Sequence, residues 1–304
     1  MKDNTTTSIG TVFATTGGSK IARCLRSFAR MEPDVQPHVV LDTSSNTWKR
    51  NQRLDVPPNT PVRHITNSAH INGVLNAALE WMKELGHTHA ALFHDDLIFS
   101  PLPEHKYSLS EWFTHPLVQT SSGLRYSHFE TFVPEVDSRR ASEVWEYEDL
   151  ESPELWTFLK TFTMCDGVDC RPPGRTFWFK YEGPDKVRKW NRLGPTGQIV
   201  PLATWEQVGK FDEVEGIFYD GEYPSECFRR KLPPVYAVTN FPYIHLHNQS
   251  MNPWGDPAPN GFGNTGAAYE RRYHADWPGF WGGDWEEKWK DEHEDLVSVQ
   301  CKRS

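Results

Sequence analysis

The sequence lacks an apolar run of the roughly 20 residues that a membrane-spanning helix needs. Its N-terminal segment, MKDNTTTSIG, also lacks the apolar core of a secretory signal peptide. The cysteines are few and odd in number: there are five, and no two of them form a CxxC pair. Cys165 and Cys170 are close in sequence, but without a second close pair their spacing does not favour a structural zinc site. We therefore expect a cytoplasmic protein without a transmembrane segment.

Basic residues are also fewer than acidic ones. The 32 Lys and Arg residues are outnumbered by 41 Asp and Glu residues, which gives a net charge of −9. This balance argues against indiscriminate binding to nucleic acid, although it is compatible with a local basic patch. The 304 residues are 37% apolar, 13% aromatic and 24% charged, which excludes a fully disordered chain and predicts one large domain or two small ones.

Strand and helix patterns alternate over the first hundred residues. Strands are predicted at 9–14, 38–42, 62–66 and 89–93, and helices at 20–31 and 69–85, the second closed by Gly86. This alternation predicts an α/β fold with a parallel, doubly wound sheet, in which ligands bind at the carboxyl ends of the strands. Asp42 and the pair Asp95 and Asp96 fall at such ends.

The alternation is lost between residues 102 and 195 and returns at 197–232. In the later part we expect strands at 199–203, 235–239 and 242–246, and helices at 204–209 and 221–231. Within the irregular region, residues 171–192 carry seven basic and two acidic residues interleaved with aromatic ones. Basic groups and aromatic faces suit a nucleic acid, and aromatic side chains also stack on sugar rings.

The acids at the strand ends can be interpreted either as ligand-binding residues or as structural residues of turns. Asp95 and Asp96 suit a hard cation such as Mg²⁺ or Mn²⁺, which takes oxygen ligands and bridges to phosphates; alternatively they belong to a solvated turn that caps a helix. Asp42 can accept hydrogen bonds from a ribose or a uracil edge, or it opens an Asx turn.

A second group of acids lies in residues 209–222 (GKFDEVEGIFYDGE): Asp212, Glu213, Asp220 and Glu222. A carboxylate here can act as a general base towards an acceptor hydroxyl, or it can simply stabilise a helix N-terminus. Further on, His245 and His247 lie near a predicted strand end, and we expect no more than one of them to face the site, as a further metal ligand.

These segments together resemble the GT-A glycosyltransferases, most closely family 2. VVLDTSSNTW (39–48) resembles the family's nucleoside-binding turn, ITNSAHINGVLNAAL (65–79) its "NxGxxxaxNxGl" segment, and ALFHDDLIFSP (91–101) its DxD segment. WEQVGKFDEVEGIFYDGE (205–222) resembles the "GgFDE…ED.D" segment. IHLHNQS (244–250) is similar to the later histidine segment, and YHADWPGFWGG (273–283) is a weaker likeness to the terminal "y..KWG".

The resemblance implies a GT-A fold and a metal-dependent transfer from a nucleotide-diphosphate sugar, most simply a UDP-sugar, with Mn²⁺ or Mg²⁺ as the metal. It implies one compact catalytic domain in three parts: a nucleotide-sugar-binding half (1–101), an acceptor-side half with an irregular insertion (102–250), and a Trp- and Gly-rich tail with a charged helix (251–304). The roles implied for single residues are as follows: catalytic base, Asp220 with Glu222 as the alternative; donor binding, Thr15, Asp42, Ser44, Asn67, Asn76 and Asp95; metal binding, Asp96 with His245 or His247.

This sequence departs from the family pattern at two points. The DxD segment reads His94-Asp95-Asp96-Leu97, so a third acid is missing and Asp96 is preferred as the main ligand. The expected Glu-Asp pair reads Tyr219-Asp220, and the acid after it is Glu222.

Three alternatives follow from these residues. The favoured acceptor is a saccharide or glycan, and a hydroxymethylated pyrimidine in DNA is the alternative that the basic, aromatic segment supports. An inactive GT-A domain that only binds is a further alternative. A nucleotidyltransferase is disfavoured because the TTGGSK loop (15–20) has only Lys20 as a basic group.

Overall fold

The structure is a computed structural model that describes residues 7–66, 68, 71–99, 116–126, 129–131, 187–189, 197–213, 219–238 and 243–246. The strands are β1 Ile9–Thr15, β2 Pro37–Asp42, β3 Val62–Ile65, β4 His89–His94, β5 Leu97–Phe99, β6 Gly123–Tyr126, β7 Phe129–Thr131, β8 Val187–Lys189, β9 Gly197–Pro201, β10 Val235–Val238 and β11 Tyr243–Leu246. The helices are α1 Lys20–Met31, α2 Asn46–Asn51, α3 Ile71–Glu84, α4 Pro116–Thr120, α5 Leu202–Val208 and α6 Tyr219–Arg229.

Eight of these strands form one mixed sheet in the order β3-β2-β1-β4-β9-β6-β10-β8. Strands β1 to β4 are mutually parallel where they pair, and β10 is parallel to β6. Strand β9 is antiparallel to both β4 and β6, and β8 is antiparallel to β10. The expected mostly parallel α/β sheet is therefore confirmed, with an antiparallel strand at its centre. A second sheet has the order β5-β11-β7.

Helices pack on both faces of the large sheet, as the doubly wound prediction requires. Successive residues of β1 point to opposite sides, because side chains alternate along a strand. Val12 lies in the core under α3 with Leu75 and Leu79, whereas Phe13 lies in the core under α1 with Phe28. The rings of Phe13 and Phe28 meet edge to face at 5.1 Å, and burying each side chain contributes about 1.5–3 kcal/mol.

Helix α2 was not expected, because TSSNTW reads as a polar turn. Ser45 starts this helix as its N-cap: the Ser45 hydroxyl accepts a hydrogen bond from the Trp48 backbone N–H at 3.1 Å. By contrast, the expected helix end at Gly86 is confirmed. Gly86 has φ +82, and the backbone N–H groups of Gly86 and His87 bond back to Lys83 and Met82.

Two sequence expectations about the middle of the chain were wrong. The strand predicted at 199–203 begins earlier, at Gly197, and ends at Pro201, after which α5 starts at Leu202. Pro201 favours this boundary because its fixed φ suits the start of a helix. The region 102–195, expected to be irregular, contains α4, β6, β7 and β8, of which β6 lies inside the large sheet. These elements are three to five residues long, too short to show a periodic pattern.

The three-part division of the chain stays a prediction. The basic segment 171–192 lies outside the described residues except for 187–189, and the tail from residue 251 lies wholly outside them, so these expectations also stay predictions. Within the described ranges, no helix is long and apolar enough to cross a membrane.

Candidate functional site

The carboxyl ends of β1, β2, β3 and β4 lie at one edge of the large sheet, because these strands are parallel. We call this the carboxyl edge; its residues are Thr15–Ser19, Asp42–Ser45, Ser68 and Asp95–Asp96. Asp42 ends β2 and the acid pair follows β4, so the acids lie on either side of β1. The two acidic segments are separated by two interstrand spacings, about 10 Å.

Asp95 is buried and holds the loop that follows β1. The Thr15 hydroxyl donates to Asp95 Oδ2 at 2.5 Å, and the Thr16 backbone N–H also bonds to this carboxylate. Burial raises the pKa of Asp95; nearby Lys20 opposes this rise, Asp96 adds to it, and the two hydrogen bonds oppose it. Thr15 in turn accepts the Gly17 N–H at 3.0 Å. Asp95 and Thr15 therefore bind each other, and their expected contact with a donor remains a prediction.

Asp96 is more exposed than Asp95 and lies in the turn between β4 and β5. Strand β5 then enters the second sheet, where it pairs antiparallel with β11. In that pairing His245 lies opposite Leu97, the residue after Asp96. The fold thus brings the backbone of the histidine segment beside the acid pair across almost 150 residues of sequence.

Strand geometry does not support the expectation that no more than one of His245 and His247 faces the site, because residues two apart on a strand point to the same face. Strand β11 ends at Leu246. The side chain of His245 and the whole of His247 lie outside what the structure describes, and their metal role remains a prediction.

The described residues contain no group of three or more His, Cys, Asp and Glu side chains placed to hold a metal ion. A hard cation does not require such a group, since Mg²⁺ is often bound by one or two carboxylates together with substrate phosphates. The partly exposed carboxylate of Asp96, next to the buried one of Asp95, is an oxygen donor set of this kind.

Asp42 is fully buried and forms the Asx turn that was the structural alternative to nucleoside binding. Its Oδ1 accepts the Ser44 backbone N–H at 2.8 Å and the Ser44 hydroxyl at 2.5 Å. The Ser44 hydroxyl also lies 2.7 Å from the Ser68 carbonyl. These bonds tie the end of β2 to the segment before α3. They fix the Asp42 carboxylate in place but do not test whether it binds a nucleoside.

Asn76 links α3 to the segment after α5. Its Oδ1 accepts the Phe211 N–H at 2.9 Å, and its Nδ2 donates to the Phe211 carbonyl at 2.9 Å and to Glu213 Oε1 at 2.7 Å. One turn earlier, Asn72 Nδ2 donates to the Asp212 carbonyl at 2.6 Å. Asn76 is 2% exposed, so its described contacts are internal, and direct donor binding by Asn76 remains a prediction. Asn67 lies outside the described residues.

The proposed bases lie at the start of α6. Asp220 is the second residue of this helix, and its side chain is not among those that the structure describes. Glu222 is buried, and its Oε2 accepts the Asp212 backbone N–H at 3.0 Å. This bond gives Glu222 a role in holding the 211–213 segment, which the sequence pattern did not indicate.

Thr16, at the carboxyl edge, and Glu213, beside it, are absent from the site residues that the resemblance implies. A Cβ added at Gly73 would lie 3.0 Å from Glu213 Oε2 and 2.9 Å from Ser68 Oγ, so Glu213 reaches the first turn of α3 beside Ser68. Glu213 was one of four acids in its segment, and the sequence held no signal that singled it out. Thr16 is 8% exposed and adjoins Thr15, from which it could not be distinguished by residue type.

We expect Gly17→Ala to destabilise the protein more than Gly18→Ala. Both glycines have positive φ (+88 and +97), which costs an L-residue about 1–2 kcal/mol. A Cβ at Gly17 would also lie 2.9 Å from the Arg53 carbonyl oxygen, whereas one at Gly18 meets nothing within 4 Å. Overpacking should add about 1–3 kcal/mol at Gly17 only, measured by urea unfolding. Equal losses would contradict this description of the loop.

We expect Asn76→Ala to cost about 2–4 kcal/mol, because the N–H and carbonyl of buried Phe211 both lose their partner. Lys83→Ala, on the same helix, is the matched control: it removes only an exposed ion pair with Glu206 and should change stability by less than about 1 kcal/mol. Urea unfolding of both variants measures the difference. A cost for Asn76→Ala no larger than that of the control would show that the bonds to Phe211 contribute little.

The fold and the carboxyl edge together define an α/β protein with a mixed open sheet. The carboxyl ends of four neighbouring strands of this sheet carry carboxylates and hydroxyls. No family model matches the chain, and no curated protein matches it. Similar solved structures include A197 from STIV, with 11% identity and a TM-score of 0.37 over 78% of this chain and 85% of that one.

Two further solved structures are also similar to this chain. One is described as a glucose-1-phosphate thymidylyltransferase from Bacillus anthracis (7% identity, TM-score 0.38, 81% of this chain and 94% of that one). The other is GalNAc-T7 with UDP, GalNAc and Mn²⁺ (9% identity, TM-score 0.49, 91% of this chain and 50% of that one). At these identities the likeness concerns the course of the backbone alone.

Proposed function

We propose that this protein is a metal-dependent glycosyltransferase of the GT-A type that uses a nucleotide-diphosphate sugar, most simply a UDP-sugar. One observation carries the proposal: the carboxyl edge places Asp42 and the pair Asp95–Asp96 on either side of β1, and β11 lies beside the acid pair. In open α/β sheets this edge is where ligands bind.

The donor would lie across the ends of β2, β1 and β4. Asp42 and Ser44 receive the nucleoside, since the Asx turn holds a carboxylate and a hydroxyl at the end of β2. The diphosphate lies towards β4, where Asp96 is the more exposed acid of the pair. Asp95 keeps the β1–α1 loop in place through Thr15 and Thr16. Lys20, close enough to Asp95 to affect its pKa, offers positive charge beside the phosphates.

Asp96 is the residue that would hold Mn²⁺ or Mg²⁺, with His245 or His247 as a further ligand. When bound, such an ion offsets the negative charge that develops on a departing diphosphate. The chain's own contribution is to orient the donor and to hold the partly exposed Asp96 side chain in the turn that follows β4.

Asp220 acts as the general base in this proposal. It takes the proton of the acceptor hydroxyl while that oxygen bonds to the anomeric carbon, and the sugar–phosphate bond breaks with its electron pair going to the diphosphate. The reaction inverts the anomeric centre. Glu222 positions the 211–213 segment through the Asp212 N–H and is the alternative base. The acceptor is a saccharide or glycan hydroxyl.

A screen of nucleotide sugars for hydrolysis and transfer tests the proposal. We expect one UDP-sugar to be hydrolysed in Mn²⁺ or Mg²⁺ and not in EDTA, and to be transferred to a saccharide in the presence of an acceptor panel. The same panel includes DNA containing hydroxymethylated pyrimidine, and transfer to that DNA would replace the proposed acceptor. Binding of UDP without turnover on any donor would instead support an inactive binding domain. The absence of both binding and turnover would overturn the proposal.

A further inference from the structure

Asp212 is held at both of its backbone groups by side chains from two different helices. Its N–H donates to Glu222 Oε2 at 3.0 Å, and its carbonyl oxygen accepts from Asn72 Nδ2 at 2.6 Å. Glu222 is in the first turn of α6, Asn72 is in the first turn of α3, and both side chains are buried. The starts of the two helices are therefore joined through a single residue.

The first turn of α3 is joined in the same way to the turn that ends β2. The Ser44 hydroxyl bonds to the Asp42 carboxylate and lies 2.7 Å from the Ser68 carbonyl oxygen. A Cβ added at Gly73 would lie 2.9 Å from Ser68 Oγ, so Ser68 packs against the first turn of α3. A continuous set of contacts thus runs from the donor side of the carboxyl edge through α3 to the start of α6.

The first turn of α6 also carries Asp220, the proposed base. Asp220 and Glu222 are two residues apart and belong to the same helical turn, so the bond from Glu222 to the Asp212 N–H fixes the backbone that carries Asp220. The rate of a transfer reaction depends steeply on this placement, because a displacement of about 1 Å of a reacting group can cost roughly 100-fold.

We propose that Asn72 is a positioning residue of the transfer reaction. It holds Asp212, and through Asp212 the first turn of α6, at the distance from the donor at which Asp220 reaches the acceptor hydroxyl. This inference rests on the proposed function and adds a residue that the resemblance did not imply. Asn72 is fully buried and acts through Asp212, without touching donor or acceptor. A neutral amide suits this role, because it donates to a buried carbonyl without burying a charge.

Single-turnover transfer by the full chain in Mn²⁺ tests the role of Asn72. The substrates are the UDP-sugar and the saccharide selected by the nucleotide-sugar screen, and the temperature is one at which thermal unfolding shows each variant to be fully folded. Asn72→Ala should lower the single-turnover rate by about 10–100-fold, because Asp212 loses its tie to α3. The Kd for UDP, measured by calorimetric titration, should stay within about twofold of the wild type.

Asn72→Gln separates positioning from the mere presence of the hydrogen bond. The longer side chain keeps an amide donor but moves it by one methylene, so the variant should keep its fold and still transfer about 3–10-fold more slowly. Thr88→Val is the matched control for stability. It removes the bonds between the Thr88 hydroxyl and the backbone of Ser8, outside the carboxyl edge, and should lower the Tm while leaving the single-turnover rate unchanged.

A double-mutant cycle shows whether Asn72 acts through the base. In the Asp220→Asn background, Asn72→Ala should slow transfer by no more than about threefold, because the group that Asn72 positions is already lost. A further loss as large as that in the wild-type background would contradict action through Asp220.

The remaining outcomes distinguish this inference from the proposed function. Wild-type rates in both Asn72 variants would overturn the inference while the proposed function stands. A Kd for UDP that weakens as much as the rate falls would make Asn72 a residue of donor binding and would also overturn it. A fall in rate for Thr88→Val equal to that for Asn72→Ala would show that the rate follows stability alone. No turnover of any nucleotide sugar by the wild type would overturn both.

Discussion

Asp96→Ala is expected to lower metal-dependent sugar transfer by at least about 10²–10³-fold, the loss seen when a group that stabilises developing negative charge is removed. Asp96 is the more exposed acid of the pair at the end of β4 and is the proposed metal ligand, so its loss should act on the diphosphate end of the donor. The measurement is initial-rate kinetics over a range of Mn²⁺ concentrations, with unfolding followed in parallel.

Asp34→Ala is the matched control for this prediction. Asp34 is an exposed acid in the segment between α1 and β2, at the opposite edge of the sheet. Its removal changes the net charge equally but should leave transfer and metal dependence as in the wild type. Equal activity of the Asp96 and Asp34 variants at every metal concentration would remove Asp96 from the site.

Asp220→Asn is expected to lower transfer by about 10²–10⁴-fold, the usual contribution of a general base, while the Kd for UDP stays within about twofold. The amide has nearly the shape of the carboxylate but cannot accept the proton of the acceptor hydroxyl. Rapid-quench measurement of a single turnover isolates the chemical step from donor binding.

Glu222→Gln separates the two candidate bases. A glutamine Oε1 can still accept the Asp212 N–H that Glu222 binds, so this variant should keep its fold and most of its activity. If Glu222→Gln loses the activity and Asp220→Asn retains it, Glu222 is the base. Retention of full activity by both variants would exclude a carboxylate base at the start of α6.

Most elements of the first half of the fold could be predicted because their patterns are local. Helices α1 and α3 repeat apolar residues at helical spacing, and β1, β2 and β4 are short apolar runs, so these elements and their parallel arrangement follow from periodicity and βα alternation. The strand-end positions of Asp42 and Asp95 follow from the same argument, and the structure confirms that they share an edge.

The internal bonding of the site could not be predicted in this way. Asn76 hydrogen-bonds to Phe211, which lies 135 residues later in the sequence. No local sequence pattern predicts a contact between residues so far apart. Asp95 and Asp96 are chemically identical in sequence, and only the fold shows that Thr15 binds the first of them in a buried position while the second is more exposed. The same holds for Thr15 and Thr16, whose hydroxyl groups differ in their contacts and not in their residue type.

A crystal structure of the protein with UDP and Mn²⁺ tests the central claim most directly. The account predicts the nucleoside beside Asp42 and Ser44, and the diphosphate and the metal ion at Asp96, across the carboxyl ends of β2, β1 and β4. A nucleotide bound at any other place on the molecule, away from Asp42 and Asp96, would contradict it.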